Sequence, residues 1–240
     1  MEAHQVWFQG DPHGDFRRVV RLALERKPKL IVFLGDLELP APFEEVFYPV
    51  IKYGKTALRA VHGNHDADDE DLWRRMHDGV LAERFNLHGR VETFDGLRIA
   101  GLGGLFRSRI WNPPEEPSWV SYEEFSREGF GNIAHRVARP YREAFKASEL
   151  LVHRSSIFPD VYERLARLET DVLVTHEAPG GPGFHEHGHP AIFELGERMR
   201  AQHGFCGHHH LADWYPKPGH CQWINVDRGE IVQLDGQVVE

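Results

Sequence analysis

The sequence predicts an α/β fold, on three observations. Strand-length apolar runs recur along the 240 residues, and each leads through a polar loop into helical periodicity, the rhythm of βαβ units and a largely parallel sheet. A hairpin signal, Asp95-Gly96 between Val91–Phe94 and Leu97–Leu102, adds antiparallel pairing. The length suits one α/β domain, or one such domain carrying an insertion.

The elements follow in order. Residues 4–10 read as a strand and 14–27 as a helix with apolar positions Phe16, Val19, Val20, Leu22 and Ala23, ended by Pro28. Leu30-Ile31-Val32-Phe33-Leu34 is a buried strand stopping at Gly35-Asp36, and a Pro-rich stretch then leads to a helix near 43–52. Thr56 to Val61 is a third strand, followed by Gly63-Asn64-His65-Asp66 and a helix over 68–77. Residues 105–150 break the rhythm with Pro113, Pro114, Pro117 and the aromatics Phe106, Trp111, Trp119, Tyr122, Phe125, Phe130, Tyr141 and Phe145. They read as a cap or insertion whose aromatics form its own core more readily than a substrate wall. Ser121 and Glu124 have the spacing of a capping box. A helix over 159–168, the strand Asp171–Thr175 and a helix over 191–202 restore regularity. Short strands at 204–206, 211–215, 221–226 and 231–234 are expected to pair antiparallel.

The net charge of −9 disfavours general nucleic-acid binding, and the basic stretch of 17–29 reads as the solvated face of the first helix. No apolar run is long enough to span a bilayer, and the chain runs straight into Val6-Trp7-Phe8 without a signal-peptide pattern, so the expected location is the cytoplasm. Cys206 and Cys221 form no CxxC pair and read as small buried hydrophobes. Histidine stands out, at 17 residues.

The chemistry is concentrated in five clusters: Asp11-Pro12-His13, Gly35-Asp36, Gly63-Asn64-His65-Asp66, Thr175-His176-Glu177 and Gly207-His208-His209-His210. Each falls at or just past a strand end, where open α/β sheets bind ligands. On extended backbone, residues two apart point the same way, so Asp11 with His13, and His208 with His210, can face one site. Carboxylate, imidazole and amide ligands together suit Mn, Fe, Zn or Ni better than Mg or Ca. Taken singly, each cluster is weak and reads as an ordinary turn or surface pair; the ordered set does not.

That ordered set, DxH, GD, GNHD, a lone His and GHxH, resembles the calcineurin-like metallophosphoesterase superfamily. The resemblance runs from 11 to 210. It implies a four-layer α/β/β/α fold, two mixed sheets packed as a sandwich flanked by helices, with a dinuclear metal site at the strand ends. It further implies that Asp11, His13 and His210 hold one divalent ion, that Asn64, His176 and His208 hold the other, and that Asp36 bridges them. His65 matches the family's non-ligand histidine near the leaving group. Gly35-Asp36 continues as Leu37-Glu38-Leu39, without the partner Asp and Arg of the protein Ser/Thr phosphatases, which places the chain with the bacterial-type enzymes.

The expected reaction is hydrolysis of a phosphomonoester or phosphodiester, small molecule or nucleotide, by water activated between two metals, without a phosphoenzyme. His65 is expected to serve the leaving oxygen, with Asp66 either orienting it or capping the next helix. Arg107, Arg109, His185 and His187 are candidate substrate contacts; the plainer reading makes the arginines surface ion pairs and the histidines, with His189, part of a polar loop. His62 reads as structural, and His153-Arg154-Ser155-Ser156 as pocket lining or a helix cap. The competing readings are a nuclease of the same superfamily, which needs a basic groove, and a non-catalytic metal-binding module, which would have shed ligands that are all present here. Monoester or diester preference, metal identity and oligomeric state stay open at this level.

Overall fold

The structure, a computed structural model, describes residues 2–240 except 80, 130–136, 182, 183, 185, 186, 212 and 216–218, and only the backbone of 213–215. Its strands are β1 (Val6–Gln9), β2 (Leu30–Phe33), β3 (Ala57–Ala60), β4 (Arg90–Phe94), β5 (Leu97–Leu102), β6 (Val172–Thr175), β7 (His203–Cys206), β8 (Asp213–Tyr215), β9 (Gln222–Asn225) and β10 (Ile231–Gln233). Its helices are α1 (Arg17–Arg26), α2 (Phe43–Val46), α3 (Glu70–His77), α4 (Ala82–Phe85), α5 (Tyr122–Glu128), α6 (Arg142–Val152), α7 (Pro159–Leu165) and α8 (Pro190–Arg198).

Two mixed sheets form, ordered β10-β1-β2-β3 and β4-β5-β6-β7-β9-β8. Strands β1 to β3 run parallel in the first, and β5, β6, β7 and β9 in the second. The outer strands β10, β4 and β8 are antiparallel to their neighbours. One expectation is corrected here: the late strands do not all pair antiparallel, because β7 and β9 lie side by side in parallel. Strand β8 takes the sheet edge and reverses the chain once, so β9 returns in the direction of β7.

Alternation along the strands decides the layers, since successive side chains point to opposite faces. Val6 and Phe8 of β1, Leu30 and Val32 of β2, Val172 and Val174 of β6, and Phe205 of β7 meet in one core between the sheets. There Phe8 and Phe205 stack with centroids 3.7 Å apart. The intervening Trp7, Ile31 and Phe33 face outward onto Val19, Leu22 and Ala23 of α1 and onto Phe43 and Phe47. On the opposite side Leu173, Cys206 and Trp223 pack against Tyr162 and Leu165 of α7 and Ile192 and Leu195 of α8. The result is the four-layer α/β/β/α sandwich.

Local chemistry accounts for the boundaries. Lys27, at φ 52°, closes α1 in the left-handed conformation just before Pro28. The helix expected over 43–52 is instead the short α2 and a π-type turn at Val50–Gly54, broken at Phe47, and Pro49 has no N–H to donate back to Glu45 O across the break. Asp95 and Gly96 both take positive φ, 45° and 84°, as a tight two-residue hairpin requires. Ser121 Oγ accepts from Glu124 N at 3.2 Å, while the Glu124 carboxylate reaches Val120 N at 2.8 Å, one residue earlier than a standard capping box.

The stretch 105–150 leaves and returns at neighbouring backbone: Leu105 N donates to Ser155 O at 3.0 Å and Ile157 N to Leu105 O at 2.9 Å. Ile110 and Phe125 bury with Phe158 in a small core that Trp119 and Tyr122 join; Phe106 packs onto the main core, and Trp111 packs against both. Tyr141 is exposed, and Phe130 lies outside the described residues. Among the described residues no helix is long and apolar enough to cross a membrane.

Candidate metal centre

All five clusters sit just beyond the C-terminal ends of parallel strands: β1 delivers Asp11 and His13, β2 Asp36, β3 Asn64, β6 His176, and β7 His208 and His210. The two sheets therefore contribute to one edge of the sandwich. The pairs spaced two apart converge, but not on extended backbone. Asp11, His13, His208 and His210 all have positive φ, at 27°, 42°, 70° and 50°, as do Asp36 at 49° and Glu38 at 45°. Left-handed backbone at non-glycine residues is costly and clusters at functional sites. The residues that the sequence paired thus come together, but on left-handed and not extended backbone.

Two glycines are needed for close approach. A Cβ on Gly63 would occupy the place of the Asp36 carboxylate, and one on Gly35, whose φ is +104°, would collide with the His176 ring.

The side chains meet as follows. Asp11 is fully buried; its Oδ2 accepts from His208 N at 2.8 Å and lies 3.9 Å from His210 Nε2. His13 Nδ1 lies 2.6 Å from Glu38 Oε1, and its Nε2 lies 3.2 Å from His210 Nε2. Asp36 Oδ1 accepts from His65 N at 2.8 Å, and its Oδ2 is 3.5 Å from His176 Nε2. His176 is fully buried, with Nδ1 at 2.8 Å from Leu34 O and Nε2 at 3.1 Å from Asn64 Oδ1. Asp36, His176 and His208 each present a ligand atom within 4.8 Å of the other two.

Donor bookkeeping tests whether cations fit. A carbonyl and a carboxylate only accept, so Nδ1 of His176 and of His13 must carry the proton, and both Nε2 atoms present lone pairs. The His176 lone pair faces Asn64 Oδ1 and Asp36 Oδ2. Asp11 Oδ1 is buried and has no hydrogen-bond partner among the described residues. Acceptors pointed at acceptors lack positive charge, and a divalent ion satisfies them. The titration behaviour agrees. Burial, and then the charge of Asp36, push the Asp11 carboxyl up to about 8. Burial, then His176 and His209, push His208 down to about 3, and burial also lowers His176 against the pull of Asp36. Neutral imidazoles are the form that ligates.

The cation-free protein should therefore be sensitive to alkali. Asp11 rises to about 8, and burial brings Asp66 and Glu177 to about 7. In these groups the folded state keeps a proton the unfolded state has released, so their contribution to stability is lost as pH rises. The buried histidines act oppositely, but only below their ordinary value of 6.5. Between about pH 6.5 and 8 the carboxyls act together with His65, whose raised pKa works in the same direction, and the melting temperature of chelator-treated protein should fall across that window. Added Mn or Zn should flatten the part of the slope that Asp11 contributes, by favouring its ionised form.

His65 is half exposed, and its Nδ1 lies 2.6 Å from Asp68 Oδ2. Burial works against its charged form, but the hydrogen bond to Asp68 and the charges of Asp36, Asp68 and Glu38 outweigh it and raise its pKa. Asp66, expected to orient His65 or to cap the next helix, does neither. Its buried carboxylate accepts from Glu38 N at 2.9 Å and Gly63 N at 2.8 Å, tying the Asp36 loop to the Asn64 loop. The orienting carboxylate is Asp68, and the cap of α3 is Asp69, which accepts from Asp71 N at 2.8 Å.

Of the candidate substrate contacts, Arg107 is brought to the site and Arg109 is not. The largely buried Arg107 guanidinium donates to Ser155 O at 2.7 Å, Ser156 Oγ at 3.2 Å and Ser155 Oγ at 3.3 Å. Burial lowers its pKa, and the carboxylates that act on it through space are Glu177, Asp68 and Asp36. Arg109 is ion-paired with Glu149 and lies over the Phe125 ring at 5.6 Å, so its fork is engaged inside the 105–150 stretch. His187 has its ring 6.2 Å from that of His209, and His185 lies outside the described residues. His189 caps α8, accepting from Ala191 N at 3.2 Å. His62 is buried against His88, with ring centroids 4.6 Å apart. The 153–156 patch does not cap α7; it anchors Arg107.

Sequence reasoning missed Glu38 and Asp68 as supports of His13 and His65. Asp68 had a signal, three residues beyond His65 at the start of a helix; Glu38 had none.

Comparison with known proteins gives a consistent answer. Residues 4–212 match the family model of the calcineurin-like phosphoesterases. The chain is 34% identical over 210 residues to an uncharacterized protein of Haemophilus influenzae, covering 85% of this chain and 83% of that one. Its fold is similar to that of the protein TT1561 of Thermus thermophilus, with a TM-score of 0.57 at 13% identity over 98% of this chain and 96% of the other. On the ordered motifs, the four-layer sandwich and the matched span together, the chain belongs to the calcineurin-like phosphoesterase family.

Proposed function

We propose that this chain is a dinuclear metal-dependent phosphoric ester hydrolase, acting on small phosphate esters or nucleotides without a covalent intermediate. The observation that carries the reading is the convergence of acceptor atoms that face one another without a donor between them, Asp11 Oδ1, Asp36 Oδ2, Asn64 Oδ1 and the His176 Nε2, beside the imidazoles of His13 and His210. Asp11, His13 and His210 would hold one ion, Asn64, His176 and His208 the other, with Asp36 between. Two divalent ions held there would supply Lewis-acid charge and acidify water.

The remaining steps belong to the chain. Asp68 holds the Nδ1 proton of His65, which leaves the Nε2 edge of a half-exposed imidazole to donate to the leaving oxygen. Arg107, anchored on serine oxygens and under the field of the site carboxylates, binds a phosphate oxygen. Burial pushes both cysteine thiols upward, so neither Cys206 nor Cys221 supplies a thiolate nucleophile. The 105–150 stretch is the cap of a single domain and carries Arg107 at its root.

The test is a panel of Mn, Ni, Zn and Fe with p-nitrophenyl phosphate and its bis ester. Metal-dependent nitrophenol release is expected. No turnover of either ester with any of the four metals would sink the proposal. Arg107→Ala should lower kcat/KM by roughly 10- to 100-fold, the worth of a charged hydrogen bond, with Arg107→Lys restoring only part. Steady-state kinetics on the preferred ester would check this.

A further inference from the structure

Beside the proposed centre lies a second group of ligand atoms. Glu177 follows the His176 ligand, and its carboxylate is buried, only 7% exposed. Thr175 Oγ1 fixes its backbone by donating to Glu177 O at 2.7 Å. Its Oε1 accepts from Ala178 N at 3.2 Å and stands 3.8 Å from His209 Nε2. His209, between His208 and His210 in sequence, has its ring 4.8 Å from that of His208 at an interplanar angle of 56°. Glu177, His208 and His209 each present a ligand atom within 4.8 Å of the other two.

The Glu177–His209 separation of 3.8 Å is too long for a hydrogen bond. It is close to what two ligands adopt around one ion, since tetrahedral zinc with bonds near 2.0–2.2 Å spaces its ligand atoms roughly 3.4 Å apart. One carboxylate with two imidazoles is a ligand set that zinc takes. We propose that Glu177, His208 and His209 form a third cation site of zinc-binding chemistry, sharing His208 with the dinuclear centre. This rests on the dinuclear reading of that centre. An imidazole carries a nitrogen on each edge, so His208 can face both. A neutral ring has only one lone pair, so the outer ion either draws His208 from the centre or displaces its remaining proton, and it is the most weakly held.

The experiment is equilibrium dialysis of chelator-stripped full-length protein against zinc, with bound metal counted per chain. Wild type should saturate at three equivalents, the third the weakest. Glu177→Gln and His209→Ala, which leave the seven proposed ligands intact, should each lose one equivalent in three and keep the tighter two. Wild type saturating at two, or both variants retaining the third, overturns the site while leaving the dinuclear reading in place. Wild type binding fewer than two defeats both.

Discussion

Asp36→Asn should abolish turnover and remove bound metal, leaving the protein folded. The Asp36 carboxylate is positioned by the backbone: Oδ1 accepts from His65 N at 2.8 Å while Oδ2 faces His176 Nε2 at 3.5 Å. An asparagine keeps the shape, but it replaces the central negative charge with an amide that cannot hold two cations. The loss in kcat/KM should exceed the roughly 10- to 100-fold typical of an outer-shell partner. Gly63→Ala should produce a similar loss by another route, because its Cβ displaces the same carboxylate. Metal content and kcat/KM measured on the same preparations would check both; an Asp36→Asn protein with full metal and unimpaired hydrolysis would refute the assignment.

His65→Ala should separate chemistry from metal binding. It is expected to retain the wild-type metal content and lower kcat by ~10²–10⁴, the contribution of a positioned general acid. Asp68→Asn tests the same step by pH. Asp68 helps raise the His65 pKa, so removing it lowers that pKa. A general acid works only while protonated, so the alkaline limb of the kcat profile should move to lower pH. An unmoved limb would mean that His65 does not titrate in the rate-limiting step.

Much of the site was legible in the sequence. Strand ends could be placed because short continuous apolar runs are a local signal, and the residue types at those ends are uncommon in ordinary turns. The same logic placed α1, the Asp95-Gly96 hairpin and the aromatic core of 105–150. It failed where neighbours in sequence are not neighbours in space. Asp66 sits beside His65 in the chain, yet its carboxylate reaches Glu38 N, 28 positions away, and Asp68 meets the imidazole instead. Arg107 and Arg109 looked equivalent, but one turn of backbone gives Arg109 to Glu149 and points Arg107 at the serines of 155–156.

The line between the two sources of information follows from the range of the interactions. Sequence alone specified the α/β class, the order of the strands along the chain and the candidate metal-binding clusters, because these rest on periodicity and residue type within a few positions. Packing of the chain was needed for the rest. It set the parallel pairing of β7 with β9, the left-handed backbone under Asp11, His13, His208 and His210, and the tautomer of His176 imposed by Leu34 O, 142 residues away. It also brought Glu177 to His209. Each of these depends on groups distant in the chain meeting at one edge of two sheets, and residue spacing carries no record of that meeting.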